Sequence, residues 1–203
     1  LAKQAGAEVL VLVLFGKDME IGCKQAHEMG LKSSMQVVVP NMTLDMAEGG
    51  GPDAMEGVIS ATPWYWKSAL EMNNPKAAAF IKKFEEKYNR YASTSGASAY
   101  TIMHEYTAAV ERAKTFDTDA VIKALEGHKY VSLKDEQYWR PFDHQSVQTV
   151  YAVKIKKAGD VKKSKYGLDY YDIINTMKGE DAAVTMAEWS AVRAKVGAPV
   201  TLE

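Results

Sequence analysis

The sequence contains a single cysteine, Cys23, and this scarcity excludes several kinds of site. A disulfide needs two thiols, so none can form within the chain. The same count excludes a C-x-x-C redox pair and a metal site built from several cysteines. One cysteine is compatible with the cytoplasm and with an extracytoplasmic space alike, so the composition leaves the compartment open.

The chain also lacks an excess of either charge and lacks a long hydrophobic run. It has 25 basic and 26 acidic side chains, for a net charge of -1. Nucleic acids and anionic membranes bind surfaces with a clustered basic excess, so neither partner is expected. The longest apolar run, Val9 to Phe15, is much shorter than the roughly 20 residues that cross a bilayer. A hydrophobic content of 47% still suffices for a buried core in one or two domains.

Recognisable catalytic motifs are missing as well. His104-Glu105 resembles the start of a zinc-protease helix, but Ala108 stands where the second histidine ligand is required. Gly49-Gly50-Gly51 lacks the lysine and the Ser or Thr of a phosphate-binding loop. An enzyme that used Lys17-Asp18 or His104-Glu105 would need a nucleophile and a base at one strand end, and the sequence offers no such set. We therefore predict no catalysis, no cofactor and no metal.

The first third of the chain predicts alternating strands and helices. Glu8 to Phe15 is rich in β-branched residues, and this favours a parallel strand buried on both faces. A helix is predicted over Met19 to Met29, with Asp18 as its N-cap. Further strands are predicted at Met35 to Val39 and Gly57 to Ala61. This βαβαβ pattern indicates an α/β fold with a parallel sheet and right-handed crossovers.

The rest of the chain is predicted from the same signals. The Thr62 to Trp66 segment, with three aromatics after a proline, predicts an exposed connection that leaves the sheet. Helices are expected at 76–91, 97–114 and 117–126, short strands within 130–143, a strand at 149–156, and two short amphipathic segments near 170–177 and 185–196.

A candidate site follows from the predicted sheet. Small ligands of open parallel α/β sheets bind beyond the carboxyl ends of the strands. Those ends carry Phe15, which offers an apolar face, and Asn41, which offers both a donor and an acceptor. The amide groups of Lys17 and Asp18 head a helix that is suited to an anion. The alternative, that Phe15 packs in the core and Asn41 caps a loop, fits the local sequence equally well.

Six segments together resemble the branched-chain amino acid and amide binding family of type I periplasmic proteins. They are AGAEVLVLVLFGKDM, KQAHEMGLK leading to VVVPNM, AMEGVISATPWYW, PKAAAFIKKFEEKYN, ASAYTIMHEYTAAVERA and RPFDHQSVQTVYAVKI, in order from residue 1 to about 158. The resemblance implies two Rossmann-like lobes between which the chain crosses. Residues 1–63 would belong to the C-terminal lobe, 67–147 to the returning half of the N-terminal lobe, and 148–203 to the C-terminal lobe again. The start, Leu1 to Ala7, is not a signal peptide, and it predicts that the first part of the N-terminal lobe is missing.

The resemblance also implies a function. The chain would be the extracytoplasmic solute-binding component of an ABC importer, secreted by a signal peptide that this chain lacks. Its partners would be a membrane permease and a small-molecule ligand, which would be amino-acid-like, an amide, or an aromatic or apolar carboxylate. Phe15 and Asn41 lie where the family lines its cleft, although Asn41 is neutral where amino-acid binders commonly place an acid. Further candidates near the cleft or the crossings are Tyr100, Trp64 and Trp66.

Two alternatives remain open at this point. One is a ligand-sensing receptor domain of the same fold, which would need an additional domain for its output. The other is a truncated, non-catalytic remnant that forms a homodimer through exposed aromatic side chains.

Overall fold

The structure is a computed structural model that describes residues 2–202 and builds them around two separate sheets. The strands are β1 (Val9–Val11), β2 (Gln36–Val39), β3 (Ile59–Thr62), β4 (Lys129–Val131), β5 (Glu136–Trp139), β6 (Ser146–Val147), β7 (Val150–Ile155) and β8 (Tyr171–Met177). The α-helices are α1 (Gly16–Glu28), α2 (Leu44–Gly50), α3 (Pro52–Met55), α4 (Trp66–Glu71), α5 (Pro75–Tyr88), α6 (Thr94–Ala113), α7 (Thr118–Leu125), α8 (Ala158–Lys163), α9 (Gly179–Ala182) and α10 (Met186–Lys195).

The larger sheet has the order β1-β2-β3-β7-β8 and confirms the predicted parallel pairing. β1 runs parallel to β2 and β2 parallel to β3, with Val11 beside Val38 and Val39 beside Ser60. β7 then pairs antiparallel with β3, so that Tyr151 lies opposite Thr62. The fold is therefore α/β, with a parallel sheet at its start and an antiparallel extension.

The prediction for the first strand is wrong in its length and in its burial. β1 has three residues rather than eight, and it is the edge strand of its sheet. Val13 and Phe15, which follow this edge strand, are 79% and 62% exposed. Asp18 is not the N-cap of α1. The helix begins earlier, at Gly16, so Asp18 lies in its first turn and Phe15 occupies the cap position without a side-chain hydrogen bond.

The core of the larger sheet includes methionine and valine side chains from α1, β2 and the connection between β2 and β3. Met19, Cys23 and Ala26 form the buried face of α1 at the predicted helical spacing. Met19 and Cys23 belong with Val39 and Met55 to one cluster of fully or nearly fully buried side chains. Each such side chain contributes about 1.5–3 kcal/mol through removal of its surface from water.

The Thr62 to Trp66 connection is buried rather than exposed, which corrects the prediction. Trp64 is only 5% exposed, and its Nε1 donates to the carbonyl oxygen of Leu133 at 3.1 Å. Trp66 donates to Leu168 O at 3.3 Å and stacks on Tyr91 with ring centroids 3.8 Å apart. Indole rings are large apolar bodies with one polar group, so burial is favourable once that group has an acceptor.

The chain between β3 and β7 forms the second sheet and the helices around it. β4, β5 and β6 pair antiparallel, and α6 packs along α7. The predicted helices in this segment are confirmed, and three of them have side-chain N-caps: Asn74, Ser93 and Asp117. The chain connects the two sheets twice, through residues 63–65 after β3 and residues 148–149 before β7, which we call the first and second passages. The predicted lobe boundaries near 63–67 and 147–148 fall at these passages, but the division into lobes stays a prediction.

The two amphipathic segments predicted in the tail have different structures. Residues 171–177 form β8, which pairs with β7, and residues 186–195 form α10 behind a Thr185–Glu188 capping box. None of the helices formed by residues 2–202 is both long enough and apolar enough to cross a membrane.

Substitution of Met55 by alanine tests the core. We expect the free energy of unfolding to fall by about 2–5 kcal/mol, because Met55 has no exposed surface and its removal leaves a cavity. Met103→Ala is the matched control: its side chain is exposed on α6, and its effect should stay within about 0.5 kcal/mol. Equal effects of the two substitutions, measured by urea unfolding, would contradict this description of the core.

Candidate functional site

The parallel pairing brings three strand ends to one edge of the larger sheet. β1 leads to Phe15, β2 to Asn41 and β3 to Pro63. Two backbone hydrogen bonds hold the segments after β1 and β2 against their neighbours: Leu12 N donates to Val38 O at 2.9 Å, and Met42 N donates to Ala61 O at 3.2 Å. This edge is the position at which open parallel α/β sheets bind small ligands.

Phe15, Lys17 and Asn41 lie at this edge and are open to solvent. Phe15 precedes α1, and Asn41 lies just after β2, in the connection to α2. The Lys17 ammonium contacts the Glu20 carboxylate at 2.8 Å, so its charge is partly balanced within the helix. Neither Phe15 nor Asn41 is taken up by the core, so both side chains are accessible from solution.

A cavity of about 130 Å³ lies beyond the end of β3, where the chain enters the second sheet. The cavity opens between the first turns of α6 and the β4–β5 hairpin. Its walls combine aromatic rings with amides, hydroxyls and one lysine: Pro63, Trp64, Ala97, Ser98, Thr101, Ile102, Tyr130, Leu133, Lys134, Gln137, Trp139, Ser146 and Gln148. We call it the crossing cavity.

One wall residue of the crossing cavity carries a buried hydrogen-bond donor that has no partner among the described residues. The Nε1 of Trp139 is buried and meets no acceptor among residues 2–202. Tyr130 OH has only two long contacts, at 3.4 Å, with Gln137 Oε1 and Ser146 Oγ. Burial raises the pKa of Tyr130, so its phenol stays protonated at neutral pH. A flat, partly apolar molecule with an acceptor oxygen would match these walls.

Lys134 enters the crossing cavity from the turn between β4 and β5. Its side chain is buried, and its Nζ donates to Pro63 O at 2.6 Å and to Thr149 O. The ammonium also lies over the ring of Tyr151, 5.4 Å from its centroid. Burial lowers the pKa of Lys134 to about 8, although the nearby Asp135 carboxylate acts in the opposite direction.

A second charged group joins the first passage to the segment after β7. Asp169 accepts hydrogen bonds from Tyr65 OH and Lys156 Nζ, both at 2.6 Å, and from Lys67 Nζ at 3.1 Å. Burial acts to raise the pKa of Asp169, but these three hydrogen bonds together hold it below its usual value. Asp169 therefore remains a carboxylate at neutral pH and anchors the chain next to Trp66.

The remaining predicted site residues lie elsewhere. Trp66 stacks on Tyr91 and does not line the crossing cavity. Tyr100 is half-buried and packs against Phe80 and His104, with ring centroids 4.9 and 4.2 Å away. Of the six predicted residues, Trp64 alone is part of the cavity wall, while Phe15, Lys17 and Asn41 share the strand edge.

The sequence interpretation missed Lys134, Gln137, Trp139 and Gln148. They belong to short strands and turns that carry no recognisable motif, so their convergence depends on pairing that the sequence does not display. Trp139, next to Tyr138 in a polar segment, was the one available signal. Across residues 2–202 no three His, Cys, Asp or Glu side chains are grouped so as to hold a metal ion.

Comparison with known proteins gives one family and a set of solved structures. Residues 1–160 match the model of a family described as periplasmic binding protein. No match was found among curated proteins.

Several solved structures share the fold. A periplasmic binding protein from Burkholderia mallei is 24% identical, with a TM-score of 0.79 over 92% of this chain and 48% of that one. A branched chain amino acid ABC transporter periplasmic ligand-binding protein from Burkholderia xenovorans LB400 is 28% identical, with a TM-score of 0.73 and the same two coverages. A solute binding protein of an ABC transporter from Rhodopseudomonas palustris BisB5, in complex with 3,4-dihydroxybenzoic acid, is 21% identical, with a TM-score of 0.69 over 88% and 47%. The chain therefore spans about half the length of these structures.

The lowered pKa of Lys134 predicts a pH-dependent stability. Between about pH 8 and the usual lysine pKa of 10.5, the unfolded chain holds this proton more tightly than the folded chain. The free energy of unfolding of the wild type should therefore rise with pH across this window, relative to Lys134→Met, by up to about 3 kcal/mol. Urea unfolding of both proteins at pH 7.5, 9 and 10.5 measures the difference. A difference that stays constant or falls would show that the burial of Lys134 does not perturb its titration.

Proposed function

The chain belongs to the periplasmic binding protein family, and we propose that it binds a small organic solute beyond the carboxyl edge of its parallel strands for delivery to an ABC permease. The observation that carries this proposal is the shared edge. β1, β2 and β3 end on the same side, with Phe15 and Asn41 exposed there and the crossing cavity beyond β3. Family membership implies an extracytoplasmic location and a role in binding rather than catalysis.

The proposed mechanism is closure of one part of the protein onto the other. The chain passes between its two sheets after β3 and again before β7, so two segments connect them. A solute that contacts both sides stabilises the arrangement in which the sides are close. The permease then recognises that closed form, and no bond in the solute is made or broken.

The side chains favour a carboxylate or amide with an apolar or aromatic body. The crossing cavity combines Trp64, Tyr130 and Trp139 with the positive charge of Lys134. Asn41 is neutral, so it supplies no charge partner for a ligand ammonium, and burial of an unpartnered ammonium costs on the order of 2–5 kcal/mol. One structural neighbour holds 3,4-dihydroxybenzoic acid, and another is described as a leucine binding protein. We favour an aromatic carboxylate over an amino acid such as leucine.

A thermal-shift comparison tests the proposal. We expect 3,4-dihydroxybenzoate to raise the Tm of the complete gene product more than L-leucine does at the same concentration, without any turnover of either compound. A ligand at 100 times its Kd stabilises the folded state by about 2.7 kcal/mol. A larger shift with leucine would contradict the ligand class, and turnover of the bound compound would contradict the binding role.

Two substitutions test the proposed edge. Phe15→Ala should weaken binding of whichever compound stabilises the protein by about tenfold, which corresponds to roughly 1.4 kcal/mol of lost contact. Asn41→Asp should shift the preference towards L-leucine, because it restores a carboxylate for the ammonium. Phe116→Ala is the control for Phe15, since Phe116 is also an exposed phenylalanine and lies away from the edge, between α6 and α7. If titration calorimetry gives unchanged affinities for both edge variants, the solute does not bind at this edge.

A further inference from the structure

Both passages between the two sheets meet at one turn. Residues 132–135, between β4 and β5, contact the first passage through Leu133, whose carbonyl oxygen accepts from Trp64 Nε1. They contact the second passage through Asp135, whose carboxylate accepts from Thr149 Oγ1. The turn is itself fixed to the start of α5, because Asn74 Nδ2 donates to Ser132 O at 2.9 Å and to Lys134 O at 3.1 Å.

Lys134 contacts both passages at once. Its Nζ donates to the carbonyl oxygen of Pro63 in the first passage and to that of Thr149 in the second. These two residues are 86 positions apart in the chain, and one ammonium holds their backbones together. Charged donors make stronger hydrogen bonds than neutral ones, so this contact restrains the passages more than a neutral side chain would.

No ion pair among the described residues accounts for the burial of Lys134. The side chain is 4% exposed and makes no ion pair within 4 Å in the part of the chain that the structure describes. Burial of a charge without an opposite charge is unfavourable, and a methionine of similar length would fill the space at a lower electrostatic cost. What methionine cannot do is donate to two carbonyl oxygens.

We propose that Lys134 is a positioning residue for solute binding, which sets the angle between the two sheets by tying Pro63 to Thr149. The inference deepens the proposed function, because the angle between the sheets decides whether one solute reaches both sides. Lys134 acts through the passages and is not proposed to react with the solute.

The strength of the contact depends on the charge of Lys134, because the neutral amine keeps two N–H donors but makes weaker hydrogen bonds; the restraint should therefore weaken as pH rises through about 8. The titratable groups around the ammonium are Asp135 on the same turn and Tyr151 on β7. Burial raises the pKa of Tyr151 to about 12, so this phenol does not ionise below pH 10. Lys76 of α5 donates to Val131 O at 3.2 Å instead and makes no contact with either passage.

Distance measurements between two spin labels test the inference without any solute. We place the labels on cysteines that replace Glu111, at the end of α6, and Lys163, at the end of α8, in a Cys23→Ala background. Both positions are exposed. Glu111 belongs to the segment between the two passages, and Lys163 to the segment after the second passage. The measured quantity is the width of the distance distribution at pH 6.5 and at pH 9.5.

The expected result is a narrow distribution for the wild type at pH 6.5 that broadens at least twofold at pH 9.5. Lys134→Met should be broad at both values, Lys134→Arg should be narrow at both, and the matched control Lys76→Met should behave as the wild type. Wild-type widths that are equal at the two pH values would overturn the inference, even if Lys134→Met failed to fold.

The outcome is separable from that of the proposed function. A narrow-to-broad change without binding of 3,4-dihydroxybenzoate or leucine supports the role of Lys134 and counts against the ligand class. Binding of either compound with pH-independent widths supports the solute site and overturns the role of Lys134.

Discussion

The parallel register of β1, β2 and β3 is the constraint on which the rest of the structure depends. Because all three strands run the same way, the three segments that leave them start at a single edge. Phe15 and Asn41 therefore share that edge although they are 26 residues apart, and the passage at Pro63 begins there too. An antiparallel arrangement of the same strands would move the residues after β2 to the opposite end of the sheet and leave no common site.

The passages between the sheets are not flexible linkers, because buried polar contacts hold them in place. Trp64 and Trp66 each donate to a backbone carbonyl, Asp169 gathers three donors, and Lys134 joins two carbonyl oxygens. An unpaired buried polar group is unfavourable, so each contact fixes a backbone position as well as satisfying a charge or a donor. Closure of the protein onto a solute would have to keep these contacts or exchange them.

Much of the secondary structure was predictable because it depends on local chemistry. Asn74 before α5 and Asp117 before α7 are typical N-cap residues, and in the structure their side chains do cap the two helices. The runs rich in β-branched residues correctly predicted β2 and β3. The errors have a common cause: burial of β1, and of Trp64 and Trp66, depends on what lies next to them. A continuous apolar run is compatible with an edge strand as well as a central one, and aromatics after a proline are compatible with either surface.

The sequence by itself determined the α/β class, the order of the first three strands and of the longer helices, and the position of Phe15 and Asn41 at strand ends, because hydrophobic periodicity, caps and turns are local signals. Only the tertiary structure decided that Trp64, Trp139 and Lys134 share one cavity, and that Lys134 bridges two passages. Lys134 and Trp139 belong to one hairpin, but Trp64 lies about 70 residues earlier, and the contact of Trp64 with Leu133 that brings the two segments together is a long-range contact that no local sequence pattern records.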